Sequence, residues 1–155
     1  MMRGTVIQEP YMLSTNPPPR QNHPKKKVLI VDDMPQVLHD LRQLLELTGL
    51  FEIVGEAANG FEAIRQVGYL LPDAVVLDLE MPKLDGFDAT RQIKARHPST
   101  RVIILSAYGG KQEIEQAMAA GADGFVIKGA HYEVLVDALL GEINSPGPNY
   151  FKIGE

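Results

Sequence analysis

Val28-Leu29-Ile30-Val31-Asp32-Asp33 is an unbroken apolar run that ends in two carboxylates, and Ala74-Val75-Val76-Leu77-Asp78 repeats the pattern with one. A short run with no polar alternation is the signature of a strand covered on both faces, as in a parallel sheet packed between helices. Two further runs of this kind end in Ser106 and Lys128. If the four lie parallel in one sheet, their polar ends emerge together at the carboxyl edge, where open α/β sheets bind ligands. Three acids, a hydroxyl and an ammonium then converge. Uncompensated, the acids repel by about 3 kcal/mol per pair at roughly 5 Å with an effective dielectric near 20. A divalent metal and the lysine are the expected relief.

Outward from these runs, helical periodicity follows each strand, giving a βα repeat five times over. Pro35 to Leu47 reads as the first helix, with Val37, Leu38, Leu41, Leu44 and Leu45 on one stripe, Pro35 at its start and Gly49 as its stop. Asp33 is placed to act as its N-cap. The second strand mixes Phe51, Ile53 and Val54 with Glu52 and Glu56, as expected at a sheet edge. Phe61, Ile64, Val67 and Leu71 mark the next helix. A loop carrying Pro82 and Gly86 follows Asp78, and the third helix ends near His97-Pro98. The fourth strand is Val102 to Leu105, and the fourth helix bears Ile114, Ala117 and Met118, with Gly121 to cap it. Gly124 to Ile127 is the fifth strand and Tyr132 to Ile143 the last helix. Right-handed crossovers then make the economical fold a single α/β domain, a doubly wound five-stranded parallel sheet, most simply of order 2-1-3-4-5. In that order Asp32, Asp33 and Asp78 surround the topological switch point.

The 155 residues, 45% apolar, suffice for one domain with a full core, here residues 26–143. Residues 1–25, with Pro10, Pro17, Pro18, Pro19 and Pro24, read as a flexible N-terminal arm, and 144–155 as a non-helical C-terminal tail. A formal charge of −5 with scattered basic residues argues against a nucleic-acid surface, and Lys25-Lys26-Lys27 reads as a solvated strand entry. The absence of cysteine excludes disulfides and thiol chemistry and fits a reducing, cytoplasmic setting. No apolar run approaches the ~20 residues of a membrane span. His23, His39, His97 and His131 show no metal spacing.

The Val-Asp-Asp strand end, Asp78-Leu-Glu-Met-Pro-Lys-Leu-Asp-Gly, Ser106-Ala107 and Gly121-Ala-Asp-Gly-Phe-Val-Ile-Lys128, in this order and spacing, resemble the receiver domain of bacterial two-component response regulators. The resemblance covers about Lys26 to Glu142 and implies a flavodoxin-like fold. It implies that Asp78 accepts a phosphoryl group from a phosphohistidine on a sensor histidine kinase or phosphotransfer protein. Mg²⁺ would be held by Asp32, Asp33, Asp78 and the backbone carbonyl of Glu80; Lys128 and Ser106 would contact the phosphate. That chemistry suits the residues, because a carboxylate can carry phosphate covalently and the transfer demands mainly positioning and charge neutralisation. Ser106 and Phe125 match the family's switch pair. The fourth helix, fifth strand and fifth helix would then bind a downstream protein, and a homodimer is compatible. Glu80 and Tyr108 flank the expected path of a hydrolytic water, which implies slow loss of phosphate.

Each residue alone has a blander reading: Asp33 a helix cap, Asp78 a strand terminator, Ser106 a turn residue, Lys128 a surface lysine and Phe125 core packing. Their joint placement favours the site. Two departures stand out. Gly129 follows the lysine where many receivers have proline; a cis bond costs about 2.5 to 4 kcal/mol before glycine against about 0.5 to 1 before proline, which leaves the isomer of the Lys128-Gly129 bond open. The string from Gly121 also resembles receivers that precede a helix-turn-helix domain, yet few residues follow the last helix. The reading is a receiver that is stand-alone or part of a longer transcriptional regulator, and not a turnover enzyme. Alternatives are an unphosphorylated interaction module of the same shape and an aspartyl-phosphate phosphatase. The latter fits poorly, because position 80 is Glu rather than the second aspartate such enzymes use.

Overall fold

The computed structural model describes residues 24–141 and 150–152, so the N-terminal arm up to His23 and most of the C-terminal tail lie outside the described residues. The elements are β1 (Lys26–Val31), α1 (Pro35–Leu47), β2 (Phe51–Ala57), α2 (Gly60–Leu70), β3 (Ala74–Asp78), α3 (Gly86–Arg96), β4 (Arg101–Ser106), α4 (Lys111–Ala120), β5 (Gly124–Ile127), α5 (Tyr132–Leu140) and β6 (Tyr150–Lys152). The first five strands are parallel in the order 2-1-3-4-5. A sixth, not foreseen in the sequence, adds antiparallel to β5.

Strand periodicity divides the core into layers. On β1, Val28 and Ile30 face α1 and α5, joined there by Leu38, Leu41, Leu45, Leu135 and Leu139. Leu29 and Val31 face the other way, against Ala63 and Val67 of α2 and Ala89 and Ile93 of α3. A third cluster packs α4 on Ile104, Phe125 and Leu79 through Ala117. β2 lies at the edge, as its mixed composition suggests, and β1–β2 pairing skips a residue between Val28↔Ile53 and Leu29↔Gly55, leaving Val54 as a bulge. The Gln66 amide donates to the Glu56 carbonyl at 2.8 Å, further blunting that edge.

Several local expectations are corrected. Met34, not Asp33, is the N-cap of α1, and it makes no side-chain cap bond. Pro35 at the first helical position has no N–H to satisfy, which lowers the need for one. Phe61 and Leu71 are exposed. The stripe facing the sheet is Gly60, Ala63 and Val67; Phe61 lies about 200° round from Ala63, and Leu71 leaves the helix with a left-handed φ of 48°. Met118 is half exposed beside buried Ala117, one residue's rotation away. α5 stops at Leu140 rather than Ile143 because Gly141 takes φ 78°, the conformation that ends helices. Gly121 caps α4 in the same way, as expected. The Lys128-Gly129 bond is trans, since no described peptide is cis, and Gly129 adopts φ 93°.

At the amino edge of the sheet, opposite the acids, the Lys94 ammonium donates to the carbonyls of Pro98 (3.0 Å) and Thr100 (2.9 Å) and to Asp123 Oδ2 (2.8 Å). Asp123 Oδ2 also accepts from Val102 N at 2.9 Å. This clamp fixes the end of α3 against β4 and the turn into β5.

Candidate functional site

Parallel pairing aligns Val31 with Leu77, so Asp32 and Asp78 leave adjacent strands at the same height. Both are buried, while Asp33, the next residue after Asp32, is exposed. One carboxylate oxygen from each of Asp32, Asp33 and Asp78 lies within 4.8 Å of the others. Hard oxygen donors at this spacing fit a divalent cation such as Mg²⁺, which takes a few carboxylates and retains water. Among the described residues this group contains no histidine.

Lys128, one residue past the end of β5, bridges the acids. Its Nζ is 3.0 Å from Asp32 Oδ2 and 3.5 Å from Asp78 Oδ1, so Asp32 is the nearer partner. Asp32 Oδ1 accepts from Met34 N at 2.9 Å, and Asp78 Oδ1 from Glu80 N at 3.3 Å. Asp78 Oδ2 accepts no hydrogen bond among the described residues. Burial, and after it the charge of Asp32, raises the Asp78 carboxyl above its ordinary pKa against the pull of Lys128 and the Glu80 N–H. Burial works to lower the Lys128 ammonium, yet its hydrogen bond to Asp32 and the charges of both acids outweigh that, and the net direction is up.

Ser106 lies at the same edge, paired with Ile127 and one residue beyond the Asp78↔Leu105 pair. Its hydroxyl is engaged locally: Oγ donates to the Tyr108 carbonyl at 2.9 Å and accepts from Tyr108 N at 3.3 Å. The Tyr108 side chain is 65% exposed and rests against Gly110. Glu80 is exposed, with its N–H turned to Asp78. Phe125 is fully buried among Leu79, Ile104, Ala117 and Ala122.

One site residue escaped the sequence reading. Gly86, taken there as part of a turn, folds the loop back so closely that a Cβ on it would sit 2.6 Å from the Asp78 carbonyl oxygen. Gly86 N donates to the Leu79 carbonyl at 3.3 Å, and Asp85 caps α3 by accepting from Asp88 N at 2.9 Å. An aspartate followed by glycine at a helix start was the available signal.

The chain thus places an acid trio and a lysine at the switch point of a doubly wound, flavodoxin-like α/β domain. Residues 28–140 match the response regulator receiver domain, and the chain belongs to that family of two-component signalling proteins. It is 37% identical to the chemotaxis protein CheY of Thermotoga maritima, over 74% of this chain and 94% of that one. Identity to the nitrate/nitrite response regulator protein homolog of Haemophilus influenzae is 34%, over 74% of this chain but only 55% of that protein. A chain of the CheX–CheY–BeF3–Mg²⁺ complex from Borrelia burgdorferi superposes with a TM-score of 0.69 at 31% identity, covering 75% of this chain and 87% of that one. Among the described residues no helix is long and apolar enough to cross a membrane.

Proposed function

We propose that this protein is a Mg²⁺-dependent phosphoacceptor of a cytoplasmic two-component pathway, modified on Asp78 by a sensor histidine kinase or phosphotransfer protein. The observation that carries the reading is the buried Asp78 carboxylate, with Oδ1 held by Lys128 and the Glu80 N–H and Oδ2 without a hydrogen-bond partner among the described residues. Oδ2 attacks the phosphorus of a donor phosphohistidine, the P–N bond breaks, and the departing imidazole takes its proton from solvent. The product is an acyl phosphate on Asp78. Asp32, Asp33, Asp78 and the Glu80 carbonyl would hold Mg²⁺, which supplies neutralisation of phosphoryl charge when bound. Lys128 keeps Asp78 ionised before transfer and pairs with a phosphate oxygen after it. Ser106 leaves the Tyr108 carbonyl to donate to a second oxygen, and Phe125 follows into the space vacated, changing the α4–β5–α5 face that a protein partner reads. The BeF3 and Mg²⁺ of the Borrelia burgdorferi complex, a related fold at 31% identity, support this assignment.

Intact mass after incubation with acetyl phosphate and Mg²⁺ tests it. One phosphoryl group is expected on the wild type and none on Asp78→Asn. Equal modification of the Asn variant, or of the wild type in excess chelator, overturns the assignment.

A further inference from the structure

We propose that the outer edge of β5 is a strand-docking surface that the protein fills with its own C-terminal segment, so that β6 competes with the partner for the output face. This rests on the phosphoacceptor reading, which makes α4–β5–α5 the face that changes. β6 pairs antiparallel with β5 through Val126↔Tyr150, Phe125↔Phe151 and Gly124↔Lys152, and it also lies against α5. Two of the three elements of the expected output face are therefore in contact with the chain's own segment.

The pairing bears on the backbone that leads to the site. Successive N–H groups of a strand point to opposite sides. Lys128 N donates toward β4, to the Ser106 carbonyl at 2.7 Å, so the N–H of Val126 also faces β4 and that of Phe125 faces Phe151 of β6. One residue further, Lys128 holds Asp32 and Asp78. A modification that draws Lys128 and Ser106 toward new phosphate oxygens pulls on the strand that β6 grips. The grip is short: three residues, against a usual strand of about five or six. An unpaired β5 edge accepts an extended segment from a partner by the same backbone bonds, so β6 sets a threshold that the partner and the phosphoryl group overcome together.

Three chains test this: the wild type, a chain ending at Asn149, and Phe151→Pro, which removes a backbone donor from the pairing. In the wild type with Mg²⁺ alone, the Phe125 amide should exchange slowly with deuterium, and in both variants faster, while Leu29 and Val75 amides stay protected in all three. Beryllofluoride should speed exchange at Phe125 of the wild type about tenfold and, because coupling is reciprocal, bind both variants about tenfold more tightly. Equal beryllofluoride affinity in all three chains, or a Phe125 amide as fast in the wild type as in the variants, overturns the competition while leaving the phosphoacceptor reading intact. Failure of every chain to bind beryllofluoride overturns that reading, and the competition with it.

Discussion

Replacing Asp78 by Asn should stabilise the metal-free protein while abolishing phosphorylation. At 4.8 Å, the limit within which the three acids lie, each repulsion from Asp32 and Asp33 is about 3.5 kcal/mol with an effective dielectric near 20. The attraction of Lys128 to Asp78 at 3.5 Å opposes these with about 4.7 kcal/mol on the same scale. Neutralising Asp78 therefore removes about 2 kcal/mol of net repulsion, reduced toward 1 kcal/mol by water around exposed Asp33. That corresponds to a melting temperature about 3 to 8 °C higher. The pH dependence has a definite sign. Burial and the Asp32 charge raise the Asp78 pKa on folding, so the wild-type fold loses stability as pH rises through the folded pKa. The Asn variant lacks that loss, and its advantage should grow across the same acid range and then level off. Mg²⁺ reverses the order: at about 100 times its Kd it adds about 2.7 kcal/mol to the wild type and far less to the variant. Calorimetry from pH 4 to 8 (~0.5 steps) with chelator and with Mg²⁺ measures all three effects. A metal-free Asn variant less stable than wild type at neutral pH, or an advantage independent of pH, would refute the account of the site as a repelling trio.

Asp33→Ala, at the exposed corner of the trio, should leave the fold intact and lower Mg²⁺ affinity at least tenfold, about 1.4 kcal/mol, by calorimetric titration. Lys94→Met breaks a clamp far from the acids and should cost about 2 to 3 kcal/mol, moving the urea midpoint down by about 1 to 2 M with phosphorylation still Mg²⁺-dependent. Tyr108→Ala and Glu80→Asn should each speed phosphate loss, since about 1.4 kcal/mol of lost positioning lengthens the lifetime tenfold in the wild type; if neither accelerates it, these side chains do not shield Asp78.

Sequence alone carried the parallel sheet because Val28 to Val31 and Ala74 to Leu77 have no polar face, and only double burial explains that. It carried the acids for the same reason, since a buried strand can place its charge only at its end. What it missed depends on finer quantities. Phe61 and Met118 were misassigned because one position on a helix is a rotation of about 100°, enough to move a side chain from core to water. Asp33 lost its capping role because Pro35 opens the helix at its first position, which makes Met34 the cap residue. β6 was illegible because Tyr150-Phe151-Lys152 is short, follows Pro146 and Pro148, and finds its partner only through a distant pairing. The engagement of Ser106 with Tyr108 is a rotamer choice that composition does not encode.

That Ser106 bond sets how sharply such a protein can distinguish its two conditions. A hydroxyl pointing into an empty space would gain a full hydrogen bond on meeting a phosphate, whereas one already satisfied at 2.9 Å only trades partners. A neutral hydrogen bond is worth about 0.5 to 1.5 kcal/mol and one to a charged group about 1.5 to 3, so the trade yields roughly 1 to 2 kcal/mol, a contrast of about five- to thirty-fold. Under the phosphoacceptor reading, the resting carbonyl of Tyr108 therefore limits the dynamic range of the signal: a loop that held Ser106 more loosely would gain contrast between the two states, and one that held it more tightly would mute the response.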